Sequence, residues 1–230
     1  MRDVWQIVGS LGTLLAVVAA LFIAIFQDKM RLWFHRPKLE VFVHTTPPFC
    51  HKTLIAIGDF AAPCYYFRIL VKNNGKRRAE SVEVLAAELE KLDPNNKYVP
   101  YSRFLPMHLL WSHNRRVSES IAPGLFKYCD LGHIIQPEYR NRFPGEDFII
   151  SFAEIFFDHD IKTETVLSFD TEVKPLTATH LVPLGKYRLA LLLGAANART
   201  VRKSLVINLS GSWHDNEERM LKEGMTVAIE

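Results

Sequence analysis

The sequence predicts a mainly β protein: an N-terminal transmembrane helix followed by one antiparallel β-sandwich. Three observations carry this expectation. Residues 4–26 hold no charged side chain. From Leu39 onward, apolar residues recur at every second position rather than with the 3.6-residue period of a helix. No long helical pattern separates the runs of alternating residues, about nine in number, as it would in an alternating α/β chain.

The bulk properties agree. A chain of 230 residues, 48% of them hydrophobic, has ample material for a core. Fifteen Phe, seven Tyr and four Trp exclude disorder for the whole chain. Eleven Gly and 12 Pro exclude a collagen-like composition. Three cysteines form no disulfide framework and point to a reducing compartment. The net charge of +3 is unevenly placed. Residues 1–38 hold five basic side chains against two acidic, so residues 39–230 hold 23 of each. A nucleic-acid partner is disfavoured, because such binders concentrate positive charge on the folded domain.

Taken in order, the first element is the uncharged run Val4 to Phe26. As a helix it would extend roughly 35 Å, enough to cross a bilayer core with some tilt. Trp5 stands at one end and Trp33 and Phe34 just beyond the other, as in an aromatic belt. A cleaved signal peptide has a shorter apolar region, and a basic segment follows this run instead. That segment contains Lys29, Arg31, Arg36 and Lys38, which suit contact with anionic lipid and place the following domain in the cytoplasm. Gly12, Ala16, Ala20 and Ala24 form a stripe of small residues along one face, a geometry that lets two membrane helices approach and self-associate. Pro37 disfavours helix just before it.

Leu39 to Thr45 is the first expected strand. Cys64 to Lys72 is the second, with Tyr65, Phe67, Ile69 and Val71 on one face and Arg68 and Lys72 on the other. Asn73-Asn74-Gly75 reads as a hairpin turn, and Ser81 to Glu90 as the returning strand. Further strands are expected at 104–111, 126–134, 148–157, 166–171, 186–193 and 201–210. Asp215-Asn-Glu-Glu218 reads as a helix N-cap with Gly224 as the stop, and residues 225–229 as an edge strand. The organisation is therefore a membrane helix with its basic segment (1–38), a sandwich (39–211), and a short helix and strand (212–230).

Two stretches carry a resemblance. Residues 69–84, with Asn73, Gly75, Ala79, Val82 and Val84, resemble the Asn-x-Gly…Ala…Val-x-Val hairpin of bacterial immunoglobulin-like sandwiches of the adhesion-module type. Pro183-Leu-Gly-Lys-Tyr-Arg-Leu189 resembles the Gly-x-Tyr start of a late strand in that architecture. The layout as a whole is similar to that of many uncharacterised bacterial single-pass membrane proteins with such a domain. The resemblance implies an immunoglobulin-like fold, a binding role, and a tyrosine that braces a corner through its hydroxyl. The chain is longer than a minimal module, so residues 46–63, 91–125 and 135–147 are insertions where function would differ.

No nucleotide-binding loop, H-E-x-x-H, G-x-S-x-G or C-x-x-C motif occurs, and no cofactor is expected. Asp158-His159-Asp160 has cation-binding chemistry, but the expected reading is a polar turn that closes a hairpin. Cys50, His51, Cys64, Cys129 and His133 have zinc-binding chemistry without a compact zinc spacing. Lys76, Arg77 and Arg78, beside Lys72, form a basic tip suited to lipid or phosphate, or simply to water. Trp111, in the apolar stretch 104–112, is either a core residue or an aromatic recognition residue. The expected function is a membrane-anchored binding or scaffolding module for a protein or small-molecule partner. The alternative is an oligomeric membrane effector that senses a ligand through its sandwich. A hydrolytic enzyme ranks third.

Overall fold

The computed structural model describes residues 12–26, 36–57, 59–112, 119–140, 162–171 and 174–230. The chain divides into two units, Met1–Arg36 and Pro37–Glu230. In the first, residues 12–26 form a helix (α1) whose side chains are all exposed, Leu14, Phe22 and Ile25 among them. Among the described residues no helix is long and apolar enough to cross a membrane. The described helix covers only the last 15 residues of the uncharged run. Residues 4–11, Lys29 and Arg31 lie outside the described residues.

The second unit is mainly β, with two antiparallel sheets enclosing one core. The first sheet has the order β1 (Leu39–Phe42), β3 (Phe60–Asn73), β8 (Phe126–Ile135), β9 (Leu167–Phe169), β10 (Leu181–Val182). β2 (Cys50–Ile57) pairs with the other half of β3, on the edge that β1 occupies. The second sheet has the order β13 (Met225–Ile229), β12 (Ala198–Leu209), β11 (Gly185–Ala195), β4 (Ala79–Leu92), β5 (Tyr98–Pro100). The short strands β6 (Met107–His108) and β7 (Glu119–Ile121) also pair with β4.

The period of two explains which faces meet. Tyr65, Phe67, Ile69 and Val71 of β3 are all buried, as are Tyr187, Leu189, Leu191 and Leu193 of β11. Both rows belong to the same core. At roughly 25 cal/mol per Å2 of apolar surface, a fully buried Leu or Phe contributes about 1.5–3 kcal/mol, and such rows dominate the stability of the fold.

Several elements depart from expectation. Asn73-Asn74-Gly75 closes no hairpin: β3 lies in one sheet and β4 in the other. Neither Asn74 nor Gly75 takes a positive φ. The reason is the Asn73 side chain, which is fully buried and directs the backbone around it. Its Oδ1 accepts from the N–H groups of Lys38 (3.1 Å) and Gly75 (2.9 Å). Its Nδ2 donates to the carbonyls of Arg77 (2.7 Å) and Ile121 (2.9 Å). All the amide's ordinary hydrogen bonds are thereby made.

The stretch 104–111 supplies only the two-residue β6 and isolated bridges, Leu109 to Thr171 and Trp111 to Cys129. The strand expected at 148–157 falls outside the described residues. β2, assigned beforehand to an insertion, is a regular strand.

The C-terminal segment is integral to this unit. Asn216, not Asp215, caps the helix Glu217–Arg219 (α2), its side chain accepting from Arg219 N–H (2.9 Å). Asp215 is occupied with Lys52 and Trp213. A π-helical turn, Met220–Gly224, leads directly into β13 at the edge of the second sheet. The Tyr187 hydroxyl donates to the Leu184 carbonyl (3.3 Å) beside Gly185, whose φ is +146°.

Candidate functional site

The outer face of the first sheet carries the densest polar chemistry described. It is reached through a β-bulge. In β8 the pairing with β3 shifts between Arg68–Asp130 and Phe67–Gly132, so Leu131 is the extra residue. Before the bulge, Cys129 faces the core opposite Ile69. After it, Ile134 takes the core face opposite Tyr65, and His133 turns outward opposite Tyr66. The bulge thus brings Asp130 and His133 to one face, although their odd spacing in an unbroken strand would separate them.

His133 lies in register between Tyr66 of β3 and Ser168 of β9. Its Nδ1 is 2.8 Å from Asp170 Oδ1, with the two side chains only 3% and 12% exposed. Since a carboxylate only accepts, Nδ1 is the protonated nitrogen. The Tyr66 ring covers the imidazole, with centroids 5.3 Å apart. Among the described residues, the buried His133 Nε2, Asp170 Oδ2 and Ser168 Oγ make no hydrogen bond. A serine–histidine hydrogen bond that would activate a nucleophile is therefore not made.

On the solvent side of Tyr66 lies a cleft of about 330 Å3, lined by His51, Thr53, Leu54, Tyr66, Arg68, Ser112 and Asp130. Arg68 Nη2 donates to the Pro48 carbonyl (2.5 Å) and lies 3.3 Å from His51 Nδ1. Its guanidinium stacks 5.0 Å from the Tyr128 ring centre, and its buried Nε has no hydrogen-bond partner among the described residues. Burial first, and then the Arg68 charge, pull the His51 pKa down. His51 is thereby biased to the neutral form, whose Nδ1 can accept from Arg68. Ser112 Oγ hydrogen-bonds Asp130 Oδ1. The cleft therefore offers a fixed cation, a carboxylate, an aromatic edge and the exposed apolar side chain of Leu54.

The residues singled out from sequence are dispersed. Of the two readings of Trp111, the core one holds: it is 2% exposed and bridged to Cys129, so it is not a surface recognition residue. Lys76, Arg77 and Arg78 are exposed on the loop after β3, and Arg78 Nη1 bonds Ser120 Oγ (3.2 Å). Lys38 is exposed and paired with Glu40 (3.0 Å), and Arg36 is exposed. Gly12, Ala16, Ala20 and Ala24 are all exposed on α1. Asp158, His159 and Asp160 lie outside the described residues. Among the described residues no three His, Cys, Asp or Glu side chains converge as metal ligands. The bulge separates Cys129 from His133, one on each face of the sheet.

The three cysteines are buried and unpaired. Desolvation pushes the Cys50 and Cys64 thiols up to about 12, and that of Cys129 well above its ordinary value. None is poised as a thiolate nucleophile.

Sequence reasoning had Arg68 facing outward but missed Tyr66, Asp130, Ser112 and the His133–Asp170 pair. The available signal was a histidine and an aspartate inside otherwise apolar strand runs. Their partnership depends on the bulge and on the β8–β9 register.

No protein-family model and no curated protein matches the chain.

Proposed function

We propose that the chain is a membrane-tethered recognition module, with residues 4–26 as the tether and the His51–Tyr66–Arg68–Asp130 cleft as the recognition surface. The observation that carries the recognition role is the Arg68 cluster. Its cation and the Asp130 carboxylate are held on paired strands, facing an open cleft of ligand size. A ligand for it presents an anionic or carbonyl acceptor to Arg68 and a donor to Asp130, alongside a flat or apolar part against Tyr66 and Leu54. The tether reading is supported by the uncharged run and by the exposed apolar side chains of α1. Lys29, Arg31, Arg36 and Lys38 orient the second unit to the cytoplasmic side. The Tyr187 corner hydrogen bond supports an immunoglobulin-like type, whereas the crossing between sheets after Asn73 departs from the hairpin that the resemblance implied.

The test is a thermal-shift screen of zwitterionic metabolites and short peptides against the full-length protein in mild detergent. Compounds that raise the melting temperature should lose their effect in Arg68→Ala and Asp130→Ala. Hits indifferent to both substitutions would remove the cleft from the proposal.

An assembled effector is the second reading, supported by the small-residue stripe exposed on α1. Replacing Ala16 and Ala20 with Ile should then abolish cross-linked oligomers while leaving membrane insertion unchanged. Oligomers that persist would reduce the helix to a tether.

A further inference from the structure

The loops around Asn73 are joined through the hydrogen bonds of that one residue. Lys38, the second residue of the unit, meets Asn73 through its own N–H, and its carbonyl accepts from Asn74 N–H (2.8 Å). Asn73 N–H donates to the Leu125 carbonyl (3.0 Å), and Gly124 N–H donates to the Asn73 carbonyl (2.8 Å). One buried residue, through its side chain and its backbone, thus gathers the start of the unit, the basic loop 74–78 and the loop 122–126 into a single platform.

The platform's composition is lopsided. Residues 37–41, 72–80 and 121–127 hold six basic side chains, against Glu40 and Glu80. Glu40 is already held by Lys38 (3.0 Å) and by Asn74 Nδ2 (2.6 Å). Lys76, Arg77 and Arg78 are exposed. Beside them stand two large exposed apolar side chains, Leu125 at 60% and Phe126 at 51%. Residues 39–230 carry no net charge, so this is a local concentration of cations.

We infer that this platform docks on an anionic bilayer surface, with Lys76, Arg77 and Arg78 among the headgroups and Leu125 and Phe126 inserted at the acyl boundary. The occupant follows from charge complementarity and from chain connectivity: whatever precedes Pro37 leaves the unit here. Basic side chains near an anionic leaflet and apolar side chains at its interface are the two ingredients of reversible peripheral binding. The inference deepens the membrane reading and rests on it for the nearness of a bilayer. Its consequence is that the recognition unit is held in one orientation instead of swinging on its linker.

The test uses full-length protein reconstituted into vesicles of phosphatidylcholine alone, or of phosphatidylcholine with phosphatidylglycerol. Leu125→Cys is labelled with an NBD maleimide, since the three native cysteines are buried. Leu54→Cys is the control. Leu54 pairs with Pro63, ten residues along β3 from Asn73, or roughly 33 Å at strand rise. NBD emission at position 125 should brighten and shift to the blue with phosphatidylglycerol only, and position 54 should do neither. At about fivefold per cation, the Lys76→Ser/Arg77→Ser variant should lower the docked-to-undocked ratio on the order of 25-fold. Equal emission at position 125 in the two lipids, or full emission in the double variant, would overturn the inference. Carbonate extraction of the same vesicles reports on the tether separately. Extractable protein that still brightens in anionic vesicles would sink the tether and keep the platform. Protein that resists extraction without brightening would do the reverse.

Discussion

At the scale of single residues, one buried side chain can fix several backbone segments through its hydrogen bonds. Asn73 is the clearest case. Its replacement by Ala leaves the Ile121 and Arg77 carbonyls and the Lys38 and Gly75 N–H groups without their partner. One of these bonds is buried and three are partly buried, and groups left without partners there are costly, so Asn73→Ala should lower the unfolding free energy by about 2–4 kcal/mol in urea titrations. A loss within error of zero would mean that water replaces the amide.

The cysteines give a pH dependence with a definite sign. Folding raises the Cys50 and Cys64 pKa values from 9.0 to about 12. A folded-state pKa above the unfolded one stabilises the fold fully below the unfolded value. Stability should therefore hold up to pH 9 and decline between pH 9 and 12. Titration of Cys50→Ala/Cys64→Ala should show a shallower decline than the parent over that window. At pH 8 a thiol reagent should label the native protein far more slowly than the urea-unfolded chain.

At the scale of elements, β3, β4, β8, β11 and β12 were legible because each is at least ten residues long and sets several core residues at alternate positions. β2, with the sequence CHKTLIAI, alternates poorly and escaped notice. β5, β6, β7 and β10 span only two or three residues, too few for a period to register. Sheet membership was illegible for a different reason. A loop with Asn-Gly looks the same in sequence whether it closes a hairpin or crosses between sheets, and only the partners of Asn73 decide. The site was half legible for the same kind of cause. Arg68 follows from alternation, whereas His133 and Asp170 need the bulge at Leu131. The close approach of β8 to β9 makes this testable. A Cβ at Gly132 would collide with the Ser168 carbonyl oxygen. Gly132→Ala should therefore destabilise by about 1–3 kcal/mol, as overpacking does. It should also move the His133 imidazole resonances, because the Asp170 contact depends on that strand pair. Unchanged imidazole resonances would mean that β9 moves without disturbing the pair.

At the scale of the whole molecule, the Pro37–Glu230 unit contains both sheets and the core they share. A fragment beginning at Pro37 should fold alone, with β-type circular dichroism and one cooperative thermal transition. Aggregation in every buffer, or a helical spectrum, would count against the independence of this unit. The Asn73 arrangement has a mechanical meaning as well. A pull arriving along the chain at Pro37 reaches Lys38 before the β1–β3 ladder, whose first pair is Leu39 with Asn73. There it meets resistance on both sides of one residue, at its N–H and at its carbonyl. From Asn73 the load divides: along β3 into the first sheet, and through the Arg77 and Ile121 carbonyls toward β4 and β7 of the second. A pull on the chain ahead of Pro37 thus loads both sheets at once, and tension shared in that way does not peel β1 away as a zipper would open.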